Sequence, residues 1–319
     1  MTPTRLLLPF TTTLVLTLAT VHAQQARRAA PAPARVSSCD RRCLLEFLTQ
    51  YTEALTDDNP STLPVAPNVR VTNNGTPTVL GKGEVWGPAR RLPYRQAFVD
   101  PVTGSAIFYG IVTVSTRPTR ADTPNANPNA AVHWWFYVLR LKIAQRKIAE
   151  VEEIAYEKPP SGFGADPSTV TLPDRIFDAV LPPDERSTRE QLFAVANRYF
   201  DAVSQKGSYR DAPWHPECQR LELGVFTVNA PRTAGSCGGE FQTPSVKWNV
   251  SNRRFYVADV ERGVVVAAGN FMTPPEYPTN NGSVVMEAFK VQDGLIRFIF
   301  AFFRGNGQLH SGWGTGPGS

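Results

Sequence analysis

One histidine, four aromatic residues and a glutamate set in an apolar run carry the chemistry this sequence offers. In the segment Val132 to Ile143, strand alternation puts His133, Trp135, Tyr137, Leu139 and Leu141 on one face. Trp134, Phe136, Val138, Arg140 and Lys142 fall on the other. A concave apolar surface with few polar groups is the usual recipe for a small-molecule site. An imidazole titrating near neutrality suits general acid–base work in such a place. The competing position for His133 is the solvated end of its strand. Glu287 interrupts the apolar run Val284 to Lys290, on the face expected to meet a pocket. Burial there would raise its pKa and let it act as a base; an exposed glutamate paired across strands is the alternative. His133 and Glu287 are thus the catalytic candidates. Trp135 and Tyr137, with Tyr51 and Tyr199 on helices, are the candidate ligand-pocket residues, although a tyrosine in a helical stripe is more often core with its hydroxyl at the rim.

Other chemistries lack their residues. His215 sits in the loop Pro213-Trp214-His215-Pro216, and His310 lies near the C-terminus. No G-x-S-x-G supports a serine nucleophile, and no P-loop, H-E-x-x-H or EF-hand loop occurs. No cofactor is expected. The net charge of +5 is spread without a basic stripe, so nucleic acid is not an expected partner. The four cysteines allow three disulfide pairings. Cys39 with Cys43 and Cys218 with Cys237 are favoured, because each pair is local. A zinc site would need C-x2-C spacings with histidine partners, which neither pair offers, so no metal is expected.

These residues sit on a sequence that repeats itself at an offset of 148. Arg41, Leu44, Tyr51 and Ala54 recur as Arg189, Leu192, Tyr199 and Ala202; Lys142, Ile143 and Ile148 recur as Lys290, Val291 and Ile296. One fold used twice is the simplest reading. Each copy opens with an amphipathic helix, near 40–56 and near 188–205. Ser38 or Asp40 could cap the first, and Ser187 with Glu190 could form a capping box on the second. Strands follow, joined by turns with Asp early and Gly late: Asp100 to Gly104 and Asp259 to Gly263. Gln292-Asp293-Gly294 reads as a hairpin turn. The fold class is α+β, two tandem cone-shaped domains, each a helix followed by an antiparallel meander. The boundaries are 38–158 and 187–314, with a linker at 159–186 and a loose tail at 315–319. The halves are expected to pack as an internal pseudo-dimer through outward residues such as Trp134 and Phe136.

The N-terminus reads as a secretory signal over residues 1–23, with Arg5 before an apolar run and Ala23 at the cleavage site. The run is shorter than the roughly 20 residues that span a bilayer, so no membrane attachment is expected after its removal. A flexible leader, 24–37, follows. The mature protein is therefore expected to be secreted or periplasmic, consistent with its even cysteine count. Asn74, Asn249 and Asn281 stand in sequons that could carry glycans in a eukaryotic host.

Cys39-Asp40-Arg41-Arg42-Cys43-Leu44, the run Ala194 to Ala202 after Arg189, and Cys218-x-Arg220 with Cys237 resemble a family of secreted fungal and bacterial proteins built on a domain of unknown function. That family is similar to the nuclear transport factor 2-like (SnoaL-like) fold, which includes ketosteroid isomerase, scytalone dehydratase and polyketide cyclases beside many non-catalytic members. The resemblance implies a cone of curved sheet closed by helices, and brings no catalytic set with it. Relatives tend to read Glu-Asn-Gly after Arg220, where this chain has Glu222-Leu223-Gly224. Two functions follow as expectations: an exported protein that binds a small apolar or aromatic ligand, or a cofactor-free lyase, isomerase or cyclase acting on a polyketide- or terpenoid-like substrate.

Overall fold

The computed structural model describes residues 39–115, 131–170, 175–204, 211–229, 237, 248–273 and 282–305. The segments expected to be an export signal and leader, residues 116–129, Asn281 and the C-terminal residues with His310 lie outside them.

The first domain opens with α1 (Arg41–Thr56), which buries Leu44, Phe47, Leu48, Tyr51 and Leu55. Asp40 caps it by accepting from the Cys43 amide at 2.9 Å, and the Cys39–Cys43 disulfide clamps the same turn. Six strands follow: β1 (Val65–Asn73), β2 (Thr76–Thr78), β3 (Ala89–Asp100), β4 (Ser105–Ser115), β5 (Val132–Ala144) and β6 (Lys147–Glu157). The second domain repeats the plan with α2 (Arg189–Val203), β7 (Trp214–Glu222), β8 (Val225–Asn229), β9 (Asn249–Asp259), β10 (Val264–Met272), β11 (Gly282–Gln292) and β12 (Leu295–Gly305). Strand orders are β2-β1-β6-β5-β4-β3 and β8-β7-β12-β11-β10-β9. The protein is two tandem cone-like α+β domains.

Two local expectations shift. The sheets are mixed, because β1 joins β6 in parallel and β7 joins β12 likewise. A whole meander separates those partners in sequence, so no hairpin dictates their direction. The capping box of α2 falls one residue later than Ser187 and Glu190. Thr188 accepts from the Gln191 amide at 3.2 Å, and the Gln191 side chain accepts from the Thr188 amide at 2.7 Å. Threonine and glutamine serve that motif as well as serine and glutamate.

Each sheet presents one face to its own helix. The opposite faces of the two sheets meet in a shared apolar core of Phe98, Ile107, Tyr109, Phe136 and Val138 with Val266, Met286, Phe298, Phe300 and Phe302. Phe136 meets Phe302 edge-on at 5.0 Å, and Trp134 packs, partly buried, against the same core. The repeat explains itself at this junction. Arg41 of the first domain pairs with Asp259 of the second. Arg189 grips Asp100 through two bonds, at 2.7 and 3.0 Å. Each helix-opening arginine thus holds the β-hairpin aspartate of the other domain, the reciprocal pattern of a two-fold interface. The recurring lysines cap the same hairpins: Lys142 donates to the Thr103 carbonyl at 2.5 Å and Lys290 to the Arg262 carbonyl at 2.6 Å.

The β1–β2 and β7–β8 turns show what the Leu223 departure does. Asn74 and Leu223 both take a left-handed φ, at 50° and 43°, followed by glycine. Asparagine tolerates that conformation, whereas leucine pays about 1–2 kcal/mol for it. Leu223 recovers this by burying its side chain completely in the shared core. Asn74 is itself buried and accepts from the Ala155 amide at 2.9 Å, so this sequon offers no site for a glycan in the folded chain.

Cys218 and Cys237 are bonded across a separation of 19 residues. Replacing both with serine should cost about 3 kcal/mol in the chain-entropy account, read by urea unfolding at neutral pH. A loss under about 1 kcal/mol would show that the bond constrains little.

Candidate functional site

The helix tyrosine that recurs in both domains finds a buried carboxylate in both. In the first domain, Tyr51 donates to Glu153 at 3.1 Å. Tyr137 and Trp86 donate to the same oxygen, at 2.6 and 3.2 Å. The other oxygen lies under Gly83, where an added Cβ would stand 2.3 Å away. Burial raises the pKa of Glu153, and its tyrosine and tryptophan donors pull the other way. That second oxygen has no hydrogen-bond partner among the described residues.

In the second domain, Tyr199 donates to Glu287 at 2.9 Å. The second oxygen of Glu287 has no hydrogen-bond partner among the described residues, although the residue is only 1% exposed. Burial pushes its pKa up to about 7, against the opposing pull of Arg220 and the Tyr199 hydroxyl; nearby Glu222 adds to the rise. Arg220 and Glu222 form an ion pair at 2.6 Å on β7. Aromatic rings surround the acid's partner: Phe289 lies 4.9 Å and Trp214 5.9 Å from the Tyr199 ring. This set provides an uncommitted acceptor, or a donor once protonated, between aromatic rings and the Arg220–Glu222 ion pair.

The two acids do not occupy equivalent positions. Glu153 on β6 faces Leu139 on β5, whereas Glu287 on β11 faces Ala301 on β12. At the repeat offset Leu139 matches Glu287 and Glu153 matches Ala301. The carboxylate has crossed to the neighbouring strand while keeping its tyrosine.

The other candidates are placed as follows. His133 is 43% exposed in its side chain and sits 2.9 Å from Glu157 at the far end of β5, away from the acids. This is the solvated strand-end position, outside either cone's interior. Trp135 shares the helix-facing side of β5 with Tyr137 and packs partly buried on the first core, with its indole nitrogen unbonded. Tyr51 and Tyr137 meet at Glu153, and Tyr199 at Glu287; His133 and Trp135 join neither group. Glu152 and Glu153 were not among the sequence candidates. The signal was present: two adjacent glutamates break the apolar run from Val151 to Ile154, and strand alternation must send them to opposite buried faces. Glu153 enters the cone. Glu152 enters the domain junction, where Arg254 donates to it at 2.7 Å and Tyr256 at 2.6 Å.

Fold and site together define a protein of two fused cones, each with a buried tyrosine–carboxylate pair whose second oxygen has no hydrogen-bond partner among the described residues. Residues 185–303, most of the second domain, match the family model described as a domain of unknown function (DUF8021). No curated protein matches the chain. Solved structures that resemble it cover about one domain. The Delta 5-3-ketosteroid isomerase from Mycobacterium sp. is 13% identical, covering 36% of this chain and 98% of that one, with a TM-score of 0.29. The LEH-like epoxide hydrolase from M. tuberculosis is 13% identical over 38% and 86%, with a TM-score of 0.29. A protein of unknown function with a cystatin-like fold from Methylobium petroleophilum PM1 is 16% identical over 37% and 78%, also at 0.29.

Proposed function

We propose that the protein is exported and that its second cone binds a small, largely apolar or aromatic molecule bearing a hydroxyl or amide group, anchored by Glu287. The observation that carries this reading is the buried, unpartnered oxygen of Glu287. A buried polar atom without a partner costs about 1–3 kcal/mol, and a ligand hydrogen bond would offset that cost. The spare oxygen of Glu153 is unpartnered too, but it lies directly against Gly83, which leaves less room for a ligand than at Glu287. Two disulfides, and no helix among the described residues long and apolar enough to cross a membrane, are compatible with an extracellular or periplasmic setting.

Native mass spectrometry of protein recovered from the medium of its producing cells tests this, with wild type beside Glu287→Leu. The expected result is a small-molecule adduct on wild type and its loss in the variant. An empty wild type, or equal loading of both, contradicts the reading.

A second reading is turnover, with Glu287 as the proton shuttle of a lyase, isomerase or cyclase. Its pKa near 7 favours it, because a general acid–base group works best near the ambient pH. Conversion of the recovered molecule by fresh wild type, but not by Glu287→Gln, would establish turnover over storage.

A further inference from the structure

A half-open groove of about 600 Å³ lies where the two domains meet near the edge strand β3 and the β9–β10 hairpin. That volume is typical of small-molecule sites. Its floor is apolar: Phe98, Phe177 and Val264 are all buried beneath it. Its walls are cationic. Arg41, Arg95, Arg175 and Arg262 line it, against Asp178 and Asp259 alone. Asp259 is shared between Arg41 and Arg262, the latter at 3.6 Å. Arg95 and Arg175, both exposed, have no carboxylate within ion-pair distance among the described residues.

Gln96 also lines the groove, at 8% exposure, and adds a polar amide to its wall. A groove with surplus guanidinium charge and an aromatic floor matches a ligand that is charged at one end and apolar at the other.

We propose that this inter-domain groove binds a small amphiphilic anion, a carboxylate, sulfate or phosphate head on an aromatic or aliphatic body. The head meets Arg95, Arg175 and the Gln96 amide, and the body covers Phe98 and Phe177. The site is separate from the Glu287–Tyr199 pair and is lined by neither residue. Neither domain supplies it alone, so binding also couples the ligand to the junction held by Arg41 and Asp259.

Calorimetric titration of the whole protein with naphthalene-1-sulfonate, and with the neutral methyl 1-naphthyl sulfone, tests the proposal. The two probes share an apolar body, and neither carries a hydrogen for Glu287 to accept. The sulfonate should bind about tenfold or more tightly than the sulfone. The double variant Arg95→Ala/Arg175→Ala should lose about tenfold or more in sulfonate affinity with an unchanged melting temperature. Glu287→Leu should bind the sulfonate as wild type does, which separates this site from the cone. No saturable sulfonate binding, equal affinity for the sulfone, full binding by the arginine variant, or loss in Glu287→Leu would each overturn it.

Discussion

Glu287→Gln stabilises the protein at pH 8 and leaves its stability nearly unchanged at pH 4. In the folded chain burial holds Glu287 near a pKa of about 7, against an ordinary value of 4.5. Below about pH 4.5 the carboxyl is protonated in folded and unfolded chains alike, and wild type keeps its full stability. Between the two values the folded chain holds a proton that the unfolded chain has released, so stability falls as pH rises. Above about pH 7 the loss is complete, on the order of 3 kcal/mol. Glutamine has the same shape and still accepts from Tyr199, but it cannot ionise. The difference in unfolding free energy between variant and wild type should therefore grow from near zero to about 3 kcal/mol across this window. Denaturant unfolding at several pH values reads it, and the comparison cancels every group common to both proteins. A difference that does not change with pH would show that Glu287 is not a buried acid.

Glu152→Ala should cost more, about 3–5 kcal/mol. Glu152 is fully buried between the domains and receives bonds from Arg254, whose side chain is 5% exposed, and from Tyr256. Arg140, stacked over the Tyr256 ring at 4.0 Å, keeps its own partner Glu150, so removing Glu152 leaves the Arg254 guanidinium in an apolar junction without its acid. The pair itself need not favour folding, because desolvation offsets much of its attraction. The double variant Glu152→Leu/Arg254→Met should accordingly recover most of the loss. Guanidinium unfolding of the three proteins distinguishes these cases; a single-variant loss under about 1 kcal/mol would show that water reaches Arg254.

The architecture was legible because repetition and period speak through many residues at once. Tyr51 and Tyr199, Arg41 and Arg189, and Lys142 and Lys290 each recur because they do the same thing twice. The alternation of β5 was likewise readable, and it divides Phe136 from Tyr137 as the two buried faces require. What could not be read was which residues meet across sequence. Glu153 was hidden because its match at the repeat offset is Ala301, so the repeat gave no echo of it. The hairpin aspartates were visible as turn formers, but their second task, holding the opposite domain's arginine, depends on the packing of two sheets. His133 kept the right strand face and lost the pocket by lying one strand end too far. The parallel edge pairing was invisible for a similar reason: no turn links β1 to β6.

Both cones hold an acid with one unpartnered oxygen, and the proposal is that the one on Glu287 receives a ligand while the one on Glu153 stays shut against Gly83. The most direct measurement is a crystal structure of the protein taken from its producing cells with no ligand added. The account predicts a bound molecule within hydrogen-bond distance of the Glu287 oxygen that Tyr199 leaves free, and none beside Glu153. A second cone in which that oxygen is bonded to a side chain of the protein itself would contradict it.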